Sequence, residues 1–304
     1  MTLRHFLTIS DLNHDELIRV LDRASALKAL RGAPEHPKPL DGKSIAIVFE
    51  KASTRTRLSF EVGIYELGAR PVTLISKDTQ LVRGEPIEDT ARMLSGYVHG
   101  VVYRTFGHDR LERLAQSSTI PVVNGLSDRF HPCQLLADLM TVRQSFGPSL
   151  KDVRVAWIGD GNNMANSWIV SAALAGFELA LACPAGYPPD SQVLADAHAQ
   201  GANVRLVERP EEAAEGATVV TTDVWASMGQ EDEAKERRHA FSGFLVDDAI
   251  MKRAGSEAIF LHCLPAHRGE EVSESVIDGV QSRVWDEAEN RLHTQKALLE
   301  WLIT

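Results

Sequence analysis

The chain is predicted to be an α/β protein built from two doubly wound parallel-sheet domains. Three observations predict this. Short apolar runs bounded by turn residues alternate with helix-periodic stretches along almost the whole sequence, as in parallel α/β architecture. The 304 residues suffice for two domains of ordinary size. The sharpest break in the pattern, Gly147-Pro148, falls near the middle. Residues 1–148 are therefore assigned to a first domain and 149–285 to a second. Residues 286–304 are assigned to a terminal helix packing back on the first.

The elements follow in order. A helix is expected from about Asp15 to Leu30, then strands near 45–49, 71–75, 100–104 and 120–123, each a short apolar run. A further helix, periodic from Leu58, follows the first strand. Pro132 suits the first position of another helix, running to about Phe146, because its missing N–H would have been unpaired there. The second half predicts strands near 153–158, 178–182, 203–207, 217–222 and 258–262. The last helix is expected to start at Asp286 with Glu289 in capping-box spacing. Its Leu292, Leu299 and Leu302 recur on one face, which must be covered. No internal repeat or low-complexity tract interrupts this pattern.

Composition narrows the function classes. A net charge of −10 with dispersed Lys and Arg argues against a nucleic-acid surface. Three cysteines, Cys133, Cys183 and Cys263, are an odd count in a long chain and point to a reducing compartment, the cytoplasm by default. Met1 to Phe6 lacks a secretion signal's apolar core. No stretch approaches the roughly 18 apolar residues of a membrane span.

Five polar clusters follow five predicted strands, where open parallel sheets bind ligands. Ser53-Thr54-Arg55-Thr56-Arg57 sits at a strand-to-helix turn, where free N–H groups and the helix dipole favour an anion, most naturally a phosphate. Arg55 and Arg57 project in roughly opposite directions, and Arg55 is assigned to the anion. The plainer alternative is a Ser53 cap followed by solvated arginines. The other clusters are Arg104-Thr105-Phe106, Gly159-Asp160-Gly161-Asn162-Asn163, Asp223 to Gly229, and Cys263-Leu264-Pro265. Five clusters from two halves predict one active site in the cleft between the domains. Gly159 to Met164 invites a dinucleotide-binding reading, but Met164 occupies the third glycine position. His131-Pro132-Cys133-Gln134 places two donors at a helix start, where they either polarise a carbonyl or merely cap the helix. His262, Cys263 and His267 match no familiar zinc spacing, so no metal is assigned. A buried structural role for Cys263 is the plainer alternative to chemistry there.

With these motifs in place, the chain resembles the ornithine carbamoyltransferases of the transcarbamoylase family over nearly its whole length. Phe49 to Arg57 is similar to the carbamoyl-phosphate signature, and Gln80 with Arg83 to Thr90 to a loop that reaches a neighbouring subunit's site. The resemblance implies that Ser53, Thr54, Arg55, Thr56, Gln80, Arg104, His131, Pro132, Cys133, Gln134, Cys263, Leu264 and Arg291 bind carbamoyl phosphate. It assigns Asn163, Asp223, Ser227 and Met228 to L-ornithine, with Asn162 an open alternative to Asn163. The His262-Cys263-Leu264-Pro265 and Ser227-Met228-Gly229 motifs distinguish this branch from aspartate transcarbamoylases. Val82 and Gly96 depart from the family pattern, at positions given no chemistry. A homotrimer with shared sites is implied, with no metal, organic cofactor, nucleic acid or membrane partner.

The implied reaction moves the carbamoyl group to the δ-amine of ornithine, giving citrulline and phosphate. About one amine in 10³ is neutral near pH 7 at a lysine-like pKa, so the site must supply the deprotonated form. Asp223 and Cys263 are assigned to position and deprotonate the amine, with Cys263 thiolate-like near the cationic substrate. Ser53, Arg55, Thr56 and Arg104 hold the phosphate, while Arg55, His131 and Gln134 polarise the carbonyl. Ser227-Met228-Gly229 is expected to act as a lid. Competing readings are a carbamoyltransferase for putrescine or an acylated ornithine, a nicotinamide-dependent oxidoreductase, and a non-catalytic anion binder.

Overall fold

The computed structural model describes residues 3–51, 53–75, 84–226 and 233–304. The chain divides into two compact units, Met1–Met140 with Glu289–Thr304, and Thr141–Ala288. The division falls inside a helix rather than at Gly147-Pro148.

The first unit opens with α1 (His14–Ala29), started by a capping box in which Asn13 accepts from Glu16 N–H at 2.9 Å. Four parallel strands follow: β1 (Ser44–Phe49), β2 (Arg70–Ile75), β3 (Val101–Arg104) and β4 (Val122–Leu126). Helices α2 (Arg55–Glu66), α3 (Ile87–Tyr97), α4 (His108–Ser117) and α5 (Pro132–Phe146) alternate with them. The sheet order is β2-β1-β3-β4, so the chain reverses direction between β1 and β3. β1 and, up to Arg104, β3 are largely apolar and almost wholly buried, as strands covered on both faces must be.

The fourth strand lies two to three residues later than the sequence suggests. Pro121 precedes it, and Asn124-Gly125, which reads as a turn, is instead part of the ladder. Arg104 pairs with Leu126 while Tyr103 pairs with Asn124, so Gly125 is an inserted residue. A Cβ at Gly125 would stand 3.3 Å from the Tyr103 carbonyl, which explains a glycine at this bulge.

The second unit has strands β5 (Arg154–Ile158), β6 (Glu178–Ala182), β7 (Val204–Val207), β8 (Val219–Thr222) and β9 (Ile259–His262), all parallel, in the order β7-β6-β5-β8-β9. Helices α6 (Asn163–Ala175), α7 (Ser191–Ala199), α8 (Pro210–Ala214), α9 (Ala234–Ala240), α10 (Asp248–Ala254) and α11 (Glu274–Ile277) connect them. Here the reversal falls between β5 and β8. Ala156, Ile158, Val220 and Phe260 anchor one buried apolar cluster on this sheet.

Helix α12 (Val284–Ile303) ends the order. It begins two residues before Asp286, so the expected Asp286–Glu289 capping box does not form. The Arg283 carbonyl instead accepts from Glu287 N–H at 2.9 Å, continuing the helical ladder backwards. Within the first unit, the later part of α12 is tied down by several pairs. Arg23 binds Glu300 through two bonds of 2.8 and 2.9 Å, and Lys296 reaches Glu66 at 2.6 Å. Leu292 and Leu299 are buried, while Leu302 is half-buried. Among the described residues no helix is long and apolar enough to cross a membrane. None of the three cysteines is in a disulfide.

Candidate active site

Both reversals of strand order carry polar clusters, one in each unit. In the first unit, β1 runs into the Ser53 turn and β3 ends on Arg104, the two strands flanking the reversal. Ser53 Oγ accepts from Thr56 N–H at 3.3 Å, so the hydroxyl does occupy one of the unpaired donors at the start of α2. Thr54 makes no side-chain cap and is exposed. Arg57 turns outward to Glu61 at 2.9 Å, whereas the half-buried Arg55 has no ion pair among the described residues.

Thr56 is the hub. Its hydroxyl accepts from Arg104 Nη1 at 3.4 Å and from Arg291 Nη2 at 3.0 Å, and both guanidiniums are buried. Arg291 also donates through Nη1 to Gln134 Oε1, and Gln134 Nε2 donates to Asp138 Oδ1 at 2.7 Å. His131 lies buried beside this group. Burial pushes its pKa well below the usual histidine range, and the charges that reinforce the shift are the Arg291 and Arg104 cations. The imidazole is therefore neutral near pH 7, able to donate to a carbonyl without a charge of its own. Two guanidiniums sharing one hydroxyl repel each other, and an anion between them relieves that repulsion.

Pro132 and Cys133 occupy the first turn of α5. The Cys133 thiol donates to the Asn124 carbonyl at 3.3 Å, and burial pushes its pKa up to about 12. Its side chain is thus structural, and a ligand contact at Pro132 or Cys133 would use backbone or ring carbon. Gln80 lies outside the described residues.

In the second unit the reversal brings together Asn162 after β5, Asp223 after β8 and Cys263 after β9. Asp223 is buried. Its Oδ1 accepts from the Val224 N–H at 2.8 Å and from the Cys263 thiol at 3.2 Å, and its Oδ2 accepts from Asn162 Nδ2 at 2.9 Å. The sulfur is thus the donor in this pair. Asn163 is half-buried at the first position of α6. Ser227 and Met228, with the expected lid, lie outside the described residues.

The loop after β9 is fixed by His262. Its Nδ1 accepts from Leu264 N–H at 2.8 Å, its Nε2 faces the buried Glu271 Oε1 at 3.2 Å, and its own N–H donates to Glu287 Oε2 at 2.9 Å. Leu264 has a φ of 58°, an uncommon conformation for a branched side chain. Asp223, His262 and Cys263 bring ligand-type atoms within 4.8 Å of one another, as do His267, Glu270 and Glu271. The first set has both His262 ring nitrogens already engaged, leaving only two groups for an ion.

The dinucleotide reading fails on space. A Cβ at Gly161 would stand 2.1 Å from the Pro188 carbonyl carbon, so the chain's own Pro188-Pro189 lies where a cofactor pyrophosphate would approach. The second glycine serves that close contact. Sequence reasoning missed the buried Asp138, which orients Gln134, and the pairing of Asp160 with the buried Arg237 at 2.8 Å. Asp138 stands four residues after Gln134, a helical spacing that could have revealed it.

The pattern described as "Aspartate/ornithine carbamoyltransferase, carbamoyl-P binding domain" matches residues 4–144, and "Aspartate/ornithine carbamoyltransferase, Asp/Orn binding domain" matches 151–302. The chain belongs to the aspartate/ornithine carbamoyltransferase family. It is 56% identical over 301 residues to the ornithine carbamoyltransferase of Halorhodospira halophila, covering 99% of each chain. Among solved structures, the ornithine carbamoyltransferase of Pyrococcus furiosus superposes with a TM-score of 0.93 at 45% identity, covering 99% of this chain and 97% of that one. The anabolic ornithine carbamoyltransferase of Campylobacter jejuni gives a TM-score of 0.93 at 42% identity, with 99% of each chain covered. Thr56, Arg104, His131 and Gln134 fall within the first of these matches, and Asn162, Asp223, Cys263 and Arg291 within the second.

Proposed function

We propose that the chain transfers the carbamoyl group of carbamoyl phosphate to the δ-amine of L-ornithine, giving L-citrulline and phosphate. The observation that carries the acceptor choice is the Cys263–Asp223 pair, a thiol donating to a carboxylate at 3.2 Å. A carboxylate attracts a cationic side chain such as that of ornithine, whereas an aspartate acceptor would bring a second negative group to it.

The donor is held by charge. Ser53, Thr54, Arg55, Thr56, Arg104 and Arg291 receive the phosphate, with Gln80 contributing as the family resemblance implies. His131 and Gln134 donate toward the carbonyl oxygen, where negative charge grows as the amine attacks. Asp223 and Cys263 orient the amine and take its proton. Asn163, Ser227 and Met228 are assigned to the amino-acid end of ornithine by resemblance. The nitrogen lone pair then attacks the carbonyl carbon, the bond to the phosphate oxygen breaks, and phosphate leaves with those electrons. The amine's remaining excess proton passes to the departing phosphate as the C–N bond forms. This chemistry calls for neither a metal nor an organic cofactor.

The assembly is a homotrimer in this reading. Leu58, Val62 and Tyr65 expose one side of α2, and the adjacent β2 is an edge strand, a surface suited to burial against another copy. The free cysteines fit a cytoplasmic enzyme of arginine synthesis. Steady-state assays with ornithine, aspartate and putrescine as rival acceptors test the reading. Citrulline formation with ornithine should dominate, and faster turnover of either rival would overturn it.

A further inference from the structure

Asp223 meets the acceptor amine in the proposed reaction, and its carboxylate is held from three directions. Val224 N–H and the Cys263 thiol donate to Oδ1, and Asn162 Nδ2 donates to Oδ2 at 2.9 Å. A carboxylate offers about four lone-pair sites, so among the described residues one remains, on Oδ2.

Asn162 is itself fixed. Its Oδ1 accepts from Met164 N–H at 2.9 Å and from Ala165 N–H at 3.2 Å, two of the donors that the first turn of α6 leaves unpaired. The chemistry settles which end of the amide is which: oxygen must face the helix N–H groups, and nitrogen the carboxylate. Rotating or flipping the amide would uncap α6 and set oxygen against oxygen at Asp223.

We propose that Asn162 is a positioning residue for the amine acceptor, transmitting the fixed frame of the α6 N-terminus to Asp223. It leaves the carboxylate one directed acceptor site for a δ-amine N–H and does not itself bind ornithine. The inference rests on the ornithine reading above.

Two variants test it, because they separate the cap from the amide donor. Asn162→Ser keeps a capping oxygen and loses the amide N–H that reaches Asp223. Asn162→Asp keeps the shape and the cap but turns a second carboxylate toward Asp223. The measurements are thermal stability, KM for carbamoyl phosphate, KM for ornithine, and Ki for L-norvaline, which has ornithine's amino-acid end and no δ-amine. For Asn162→Ser the ornithine KM should rise about tenfold or more, the loss expected for a hydrogen bond to a charged group. Its melting temperature, carbamoyl-phosphate KM and norvaline Ki should stay near the parent's. Asn162→Asp should be at least as impaired toward ornithine. An unchanged ornithine KM in Asn162→Ser would reduce Asn162 to a helix cap and overturn the inference. A norvaline Ki rising in step with the ornithine KM would make Asn162 a ligand and overturn it equally. A parent enzyme that makes no citrulline overturns the ornithine reading, and this inference with it. An active parent beside an unaltered Asn162→Ser overturns the inference alone.

Discussion

Thr56 concentrates the chemistry of the first unit in a single hydroxyl. It accepts from two buried guanidiniums, and replacing it with valine would leave both donors facing a methyl group. Thr56→Val should therefore raise the carbamoyl-phosphate KM by about tenfold or more while leaving ornithine affinity near normal, which initial-rate kinetics would resolve. Arg55→Ala should lower kcat/KM by roughly 10³ or more with the fold intact, as expected when a charge-stabilising donor is lost; circular dichroism and a citrulline assay check the two halves of that statement. Cys263→Ala should mainly raise the ornithine KM and displace the pH profile, and an unchanged profile would remove the thiol from amine handling. At this scale the sequence identified the participants more readily than their arrangement. Ser53, Arg104 and His131 could be assigned by residue type and position after a strand. That Arg291, far along the chain, meets Thr56 and Gln134 could be reached only through family resemblance, since no local spacing encodes it. Asp160 and Arg237 were invisible as a pair because their partnership depends on how β5 and α9 fold together.

Helix α12 shows how an element can carry a titration switch. His293 lies fully buried on it, and neither ring nitrogen has a hydrogen-bond partner among the described residues. Burial, then the Lys296 and Lys28 cations, bring its pKa from 6.5 down to about 4, against the opposing pull of Glu289. An unfolded histidine binds a proton below about pH 6.5, whereas this one refuses it until about pH 4. Stability is thus complete above the unfolded value and falls as pH drops through that window, by about 2 kcal/mol at pH 5. Urea unfolding of the parent at pH 7 and pH 5 should show the loss, with His131 adding in the same direction. In His293→Leu the slope should flatten and stability at pH 7 should equal or exceed the parent's, because a buried polar ring that meets Glu289 only at 3.7 Å gives way to an apolar chain. The sequence anticipated α12 as amphipathic but placed its start at Asp286, because an acidic residue three before a glutamate imitates a cap. The β4 error has a similar root: Asn124-Gly125 has turn chemistry, and only the neighbouring strand makes it a bulge.

For the molecule as a whole, the α2 stripe predicts self-association. The parent should sediment at three times the chain mass, and a Leu58→Glu, Tyr65→Glu double variant should shift toward the single chain without unfolding. A parent that sediments as one chain would remove the trimer. The alternation of strands and helices made both parallel sheets legible, since apolar runs of strand length need only local pattern to be recognised. The division inside α5 was not legible, because a helix carrying the chain from one unit to the next leaves no break in periodicity. One feature of that division bears on biosynthesis. Arg291, with Lys296 and Glu300, belongs to the first unit yet is translated only after every residue of the second. A nascent polypeptide therefore holds the proposed phosphate cradle incomplete throughout elongation, even though its amino-terminal portion emerged from the ribosome first. Maturation of that cradle must wait for the carboxy-terminal helix to return, so the two units are coupled in the order of their completion.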